Sequence, residues 1–123
     1  RTLNIHKNQN ITINGLQNET IKLASMQTIG LGHIQDIGAT YVLSVGVAHI
    51  VNIGMTQKTN VGQSISMHAG KTVVIEAGET LVLKAGKSTL TMDSDGNIEL
   101  NGNKIHIAGD TVVDIDSKLI DLN

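Results

Sequence analysis

The side chains in this sequence best suited to bind a metal ion are five histidines, because cysteine is absent. His33 and His49 share the alternation of the apolar positions described below. If three copies of the chain met around an axis, each position would bring three imidazoles together, which suits a transition metal or, when protonated, an anion. A water-filled polar layer or an outward-turned side chain is the alternative. We therefore keep an axial ion at His33 or His49 as a hypothesis and expect no other cofactor. The remaining histidines have the opposite alternation and are expected in solvent: His6, His68 and His106.

Acidic residues give weaker indications of a site. Asp93, Asp95 and Asn97, with Gly96, partly match a calcium loop, but the next acidic position and the distant bidentate Glu are missing, so we predict a turn. Glu19 falls among apolar positions, where its charge would need protonation or a cation. Neither a Ser, His and Asp order nor a glycine-rich phosphate loop is recognisable, and we expect no enzymatic activity in these residues.

An eight-residue repeat, the octad, sets the positions of all these side chains. Glycine recurs once per octad, and we predict a chain bend at each of these bend glycines. They are Gly30, Gly38, Gly46, Gly54, Gly62, Gly70, Gly78 and Gly86. The residue before each glycine is apolar, and the same position continues toward the start of the chain as an assembly column. This column consists of Ile5, Ile13, Ile21, Ile29, Ile37, Val45, Ile53, Val61, Ala69, Ala77 and Ala85.

The octads predict β-structure. A second column, mostly apolar, lies two residues before the assembly column, and residues two apart share one side of a strand. Abundant Ile, Val and Thr favour pleated backbone, and a glycine in each octad opposes helix. We therefore predict an all-β chain in which each octad is a strand of about six residues. Each strand ends at its bend, where glycine would adopt backbone angles closed to other residues.

The composition supports a closely packed β-structure and argues against nucleic-acid binding. With 9 basic and 11 acidic residues the net charge is −2, and no basic run is present to contact phosphates. Proline is absent, so every residue after the first can donate its backbone N–H to a ladder. Phe and Trp are absent and Tyr41 is the single Tyr, which leaves small and branched side chains for the core. Since the sequence begins at Arg1, we expect a fragment or a processed product.

The octad is too short for one chain to enclose its own apolar column. Eight residues at ~3.3 Å each give a perimeter of about 26 Å, and a triangle of that perimeter has an inner radius of about 2.5 Å. Three chains that each supply one wall per layer give a perimeter of roughly 80 Å and a radius of roughly 7 to 8 Å, comparable with the ~10 Å spacing of packed sheets. We therefore predict a homotrimer: an intertwined, triple-stranded β-helix or β-prism whose strands pair between chains.

The pattern shifts after Gly86. Leu90 and Met92 replace the expected column, the predicted turn follows, and apolar pairs then recur at spacings of seven and eight residues. We interpret residues 1–93 as an octad-repeat shaft and residues 94–123 as an acidic continuation of the β-helix toward a tip.

Two runs carry a family resemblance. Residues 75–92, IEAGETLVLKAGKSTLTM, followed by DGNIELNG at residues 95–102, resemble the C-terminal β-helix of VgrG proteins of the bacterial type VI secretion system. The upstream octads are similar to the shaft of VgrG and of the related central spike of contractile-tailed phages. The resemblance implies a mostly parallel trimeric needle, assembled in the bacterial cytoplasm on a contractile machine and secreted into a target-cell envelope. It also implies transient contact with the target membrane, a tip-capping protein or effector at the C-terminal end, and any catalytic domain outside these residues.

Two other interpretations stay open at this point. A phage baseplate spike or fibre shaft would share the architecture and differ in its machine. A monomeric β-solenoid that binds a repetitive ligand, such as a glycan or ice, would require a regular outward array of Thr. The Thr residues present form only a broken column: Thr40, Thr56, Thr72 and Thr80. In the spike interpretation, the low charge of residues 37–57 would reduce the desolvation cost of passage through lipid.

Overall fold

A computed structural model of the chain describes residues 1–122. These residues contain three β-strands and no helix, which confirms the predicted all-β class. The chain divides into two units, Arg1–Thr56 and Gln57–Asn123, and all three strands belong to the second unit. Among residues 1–122, no helix is long and apolar enough to cross a membrane.

The backbone of the repeat bends once per octad, with successive bends eight residues apart. The bends begin at His6, Asn14, Lys22, Gly30, Gly38, Gly46, Gly54, Gly62, Gly70 and Gly78. Between the bends, residues 1–78 make no backbone–backbone hydrogen bonds with one another. The octads are therefore not strands within one chain, because a strand needs a hydrogen-bonded neighbour and the chain does not supply one.

A three-stranded antiparallel sheet forms where the octad pattern ends. Its strands are β1 (Thr80–Ala85), β2 (Ser88–Asp93) and β3 (Ile98–Asn101), in the order β1-β2-β3. Leu83 lies opposite Leu90, and Leu90 lies opposite Leu100. The strand residues include many β-branched and apolar side chains at alternate positions, the pattern that a half-covered sheet requires.

The β1–β2 connection is a two-residue hairpin turn whose geometry depends on Gly86. Gly86 has a φ of 57°, in the left-handed region, whereas Lys87 does not have a positive φ. This combination matches a type II′ turn, in which glycine takes the first central position and the backbone twist suits antiparallel strands. Of the bend glycines, Gly86 is thus the one that makes a tight reversal of the chain.

The β2–β3 connection is a three-residue loop, residues 94–96, between the hydrogen-bonded residues Asp93 and Asn97. The Asp93 N–H donates to the Asn97 carbonyl at 3.2 Å, and the Gly96 N–H donates to the Asp93 carbonyl at 3.2 Å. Gly96 has a φ of 88°. A turn followed by a left-handed residue is a common three-residue hairpin connection. The sequence DSDGN therefore forms the turn predicted for it.

One feature of the fold differs from the sequence expectations. Residues 88–101 were expected to continue the stack between chains, yet β2 folds back antiparallel on β1 and β3 folds back antiparallel on β2, because both glycine turns reverse the chain. The turn between β2 and β3 also spans the expected boundary at residue 93, so the boundary lies inside one sheet. The division into a shaft and a tip-proximal region stays a prediction.

The described chain has no core of its own: no residue among 1–122 is buried. The solvent-accessible surface is 13766 Å². A compact monomer of 13.0 kDa would expose only about 6,300 Å². The single chain thus exposes about twice the surface that a folded monomer of its mass should expose.

Candidate assembly surface

The assembly column is the least exposed set of large apolar side chains in residues 1–79. Its Ile and Val members are 43% to 52% exposed, and they stand next to a bend in every octad. The three alanines that complete the column, Ala69, Ala77 and Ala85, are also exposed. About half of each branched side chain is thus available to be covered by another chain.

One face of the sheet presents a continuous apolar surface. Cross-strand register places Leu81, Met92 and Ile98 in one row and leucines in the next row, all on the same face because side chains alternate along each strand. The leucine row is Leu83, Leu90 and Leu100. The opposite face carries mainly Thr, Lys, Asp and Glu. No other strand or helix of the described chain covers the apolar face, since the described elements are β1 to β3 alone.

Most of the backbone has no partner inside the chain. Outside residues 79–101, no backbone N–H or C=O of the described residues pairs with another backbone group. Backbone groups that become buried must be paired, because an unpaired buried donor or acceptor is costly. If the apolar columns are covered in solution, the protein that covers them must also donate hydrogen bonds to these C=O groups and accept them from these N–H groups.

The bend glycines are not required by the fold of one chain. From Gly30 to Gly78, none has a positive φ, and a Cβ added to any of them would meet no atom within 4 Å. The expectation that they adopt angles closed to other residues is therefore wrong for these seven positions. The physical reason is that the same bend forms with a side chain present, as it does at His6, Asn14 and Lys22.

The predicted ligand residues lie apart in the single chain. His33, His49 and Glu19 are exposed. Within residues 1–122, no three His, Cys, Asp or Glu side chains are close enough to hold a metal ion. An axial site would draw one imidazole from each of three chains, so the ion at His33 or His49 stays a prediction.

The Asp93 carboxylate accepts hydrogen bonds from the residues of the turn. One oxygen, Oδ1, accepts hydrogen bonds from the N–H groups of Asp95 and Asn97, and Oδ2 accepts one from Asn97 Nδ2, each at 3.0 Å. The Asn97 side-chain bond, followed by backbone N–H donors, holds the pKa of Asp93 below its ordinary value of 3.8. Both oxygens of the Asp93 carboxylate thus accept hydrogen bonds within the turn.

Sequence reasoning missed a further set of apolar residues. In the octads from residue 23 to residue 55, two columns outside the assembly column are also apolar and strongly exposed. The signal for them is the recurrence of apolar residues at two further octad positions, one just past the bend and one three residues before the assembly column.

Comparison with known proteins identifies no family for the chain. No protein-family profile matches it, and no curated protein sequence matches it at significant similarity.

Proposed function

We propose that the chain is one third of a homotrimeric, intertwined β-helix that forms the shaft of a membrane-puncturing spike. The observation that carries the proposal is the large apolar surface that the single chain leaves exposed. It has 40% hydrophobic residues, yet none of residues 1–122 is buried and 13766 Å² is exposed. Apolar surface on this scale is stabilised by removal from water, and a regular column that one chain leaves half exposed is suited to a cover of identical chains.

The number three follows from the length of the octad. The bends are eight residues apart, which fixes each straight segment at about 26 Å or less. One chain wound on itself leaves no interior for Ile, whereas three chains that each supply one wall leave a radius of roughly 7 to 8 Å. Three copies also pair the open backbone groups of residues 1–78, and closure of the walls removes exposed sheet edges.

The bend glycines support close contact between chains. A glycine that the chain itself does not need, at seven successive octads, is explained by close approach of a neighbouring backbone. The octads that begin at the chain's start use His6, Asn14 and Lys22 at the same bend. We expect the walls to be more loosely spaced there.

The resemblance to VgrG indicates the kind of machine to which the shaft would belong. On that basis the needle is driven through a target-cell envelope by a contractile apparatus, and it carries a tip-capping protein or a fused effector at its C-terminal end. A rod that transmits axial force needs rigidity rather than an active site, so we assign no enzymatic role and no required cofactor to these residues. A phage baseplate spike would use the same shaft.

A monomeric ligand-binding solenoid is less well supported. Such a solenoid would stack its own octads and bury its own column, whereas residues 1–78 make no ladder hydrogen bonds with one another. Its proposed binding face also lacks a continuous Thr column.

Light scattering coupled to size exclusion tests the assembly. We expect a mass three times 13.0 kDa that persists at moderate denaturant concentration. A folded monomer at micromolar concentration would refute the proposal. For the delivery role, a reporter fused after the C-terminal residue should enter recipient cells by contact with producing bacteria. The same fusion carrying Val45→Asp, which is expected not to assemble, is the control.

A further inference from the structure

An apolar belt covers residues 23–55 at positions that the assembly column does not use. One belt column lies two residues after the assembly column, just past the bend, and the other lies three residues before it. The belt consists of Leu23, Met26, Leu31, Ile34, Ala39, Val42, Val47, Ile50 and Met55. All its large members are at least 77% exposed, whereas no Ile or Val of the assembly column exceeds 52%. The belt lies wholly in the first unit of the chain.

Other octads show which way the belt columns face. The column past the bend holds Lys7, Lys71 and Glu79 outside the belt, and the other column holds Lys58. An unpaired charge is strongly disfavoured in an enclosed apolar interior. Glu19 is a single charge in the column two residues before the assembly column, whereas the three charges named above recur in the column past the bend. The proposed trimer therefore places the two belt columns outward and the belt side chains with them.

The dimensions of the belt match those of a lipid bilayer. Five successive octads contribute to it, from Leu23 to Met55. In a stack of strands ~4.8 Å apart, five layers span about 24 Å. The apolar band of transmembrane β-proteins is about 25 Å tall. A patch made to cover a second folded domain has no reason to encircle the shaft over this height.

Charge marks both ends of the belt. Asp36 is the only formally charged residue between Leu23 and Gln57, and Lys22 and Lys58 stand immediately outside. In a trimer the three copies of Lys22 would form a cationic ring. Lysines at such a boundary can extend their ammonium groups to lipid phosphates while their alkyl chains stay in the apolar layer.

A polar column interrupts the belt and limits its lipid affinity. Thr28, Asp36, Ser44 and Asn52 lie one residue before the assembly column, on the same outward side as the column that contains Val42. An outer surface of alternating apolar and polar columns favours reversible contact with the membrane rather than permanent insertion in it.

We propose that the apolar belt is a lipid-contact surface, at which the trimer docks reversibly against bilayer acyl chains while the Lys22 ring meets the headgroups. This inference rests on the proposed trimer. It assigns to the shaft a defined stopping depth in the membrane rather than uniform passage.

Vesicle flotation of the purified trimer tests the inference, with vesicles of phosphatidylcholine alone and of phosphatidylcholine mixed with phosphatidylglycerol. The belt variant is Val42→Asn combined with Val47→Asn. Val74→Asn is the matched control, because Val74 occupies the same octad position as Val42 outside the belt and is 78% exposed against 77%. We expect the belt variant to lose about tenfold or more of its vesicle binding and the control to stay within about twofold of the unmodified chain, since several buried apolar side chains per trimer are removed.

The outcomes separate the belt from the trimer. If the unmodified chain is not trimeric, the proposed function fails and the belt proposal falls with it. If it is trimeric but does not float, or if the belt variant floats as well as the control, the belt proposal alone is wrong. Binding only to vesicles that contain phosphatidylglycerol would assign the contact to the lysines and also overturn it. Loss of the trimer in the belt variant would show that the belt faces inward. A mass of six copies that returns to three in the belt variant would assign the belt to a second trimer.

Discussion

Val45 and Val47 offer the sharpest test of the threefold assembly, because the same substitution at the two positions should have opposite results. They flank the bend at Gly46, and they are 49% and 100% exposed in the single chain. Val45 belongs to the assembly column, whereas Val47 belongs to the outward belt. We expect Val45→Asp to abolish the trimer and Val47→Asp to preserve it.

The expected magnitude follows from the placement of Val45. In a trimer, Val45→Asp sets three carboxylates at one level of the interior. An uncompensated buried charge costs about 3–5 kcal/mol, so the three together cost on the order of 10 kcal/mol per trimer. That is comparable with the whole stability of an ordinary domain. Val47→Asp places its carboxylates in water, where a surface substitution changes stability by about 0.5 kcal/mol or less.

Light scattering and circular dichroism at neutral pH would measure both variants beside the unmodified chain. Val45→Asp should give a disordered monomer, with partial recovery of the trimer in acid as the carboxylates are protonated. A stable Val45→Asp trimer at neutral pH would refute the reasoning. Equal loss of assembly in both variants would show that the two sides of the wall are wrongly assigned.

Three further substitutions test the sheet and its turns. Gly86→Ala should destabilise the β1–β2 hairpin by about 1–2 kcal/mol per protomer, because the φ of Gly86 is 57°. Gly86→Asn should cost less in the same thermal melt, because Asn tolerates that region of backbone angles better. Equal costs for the two variants would contradict the turn assignment. Because hydrogen bonds lower the pKa of Asp93 in the folded turn, its stabilisation is present above the unfolded pKa and is lost as the pH falls through the folded value. The protection of the Asn97 amide, measured as its exchange rate relative to the intrinsic rate at each pH, should therefore fall below about pH 4. Asp93→Asn should remove this acid response, so an unchanged response would exclude Asp93 as its source. Leu90→Ala, in the centre of the apolar sheet face, should lower the stability of the trimer by about 2–5 kcal/mol per protomer, and Thr91→Ala on the opposite face should cost much less. Similar guanidinium midpoints for Leu90→Ala and Thr91→Ala would mean that the apolar face stays uncovered.

The parts of the structure that depend on local spacing were predictable. The eight-residue glycine interval predicted a regular bend, and the backbone bends at that interval. Asp93, Gly96 and Asn97 predicted a turn because Asp caps open N–H groups and glycine accepts a left-handed φ.

The parts that depend on a choice between partners were not predictable. Leu90 and Leu100 would satisfy either a wall shared with other chains or a sheet within one chain, and their alternation is the same in both cases. Two reversing turns, at Gly86 and Gly96, decide in favour of the internal sheet. The glycines from Gly30 to Gly78 were predicted to adopt unusual backbone angles because glycine permits such angles. Their bends form without them.

The internal sheet affects the register in which copies of the chain would align in the proposed trimer. Octads that are nearly alike can align one unit out of step and still match Ile to Ile, so the repeat by itself specifies alignment weakly. Residues 79–101 hydrogen-bond without help, and their sequence occurs once in the chain. In the proposed trimer they would give the three chains one common starting register, and a copy that lacks them would be expected to yield staggered bundles.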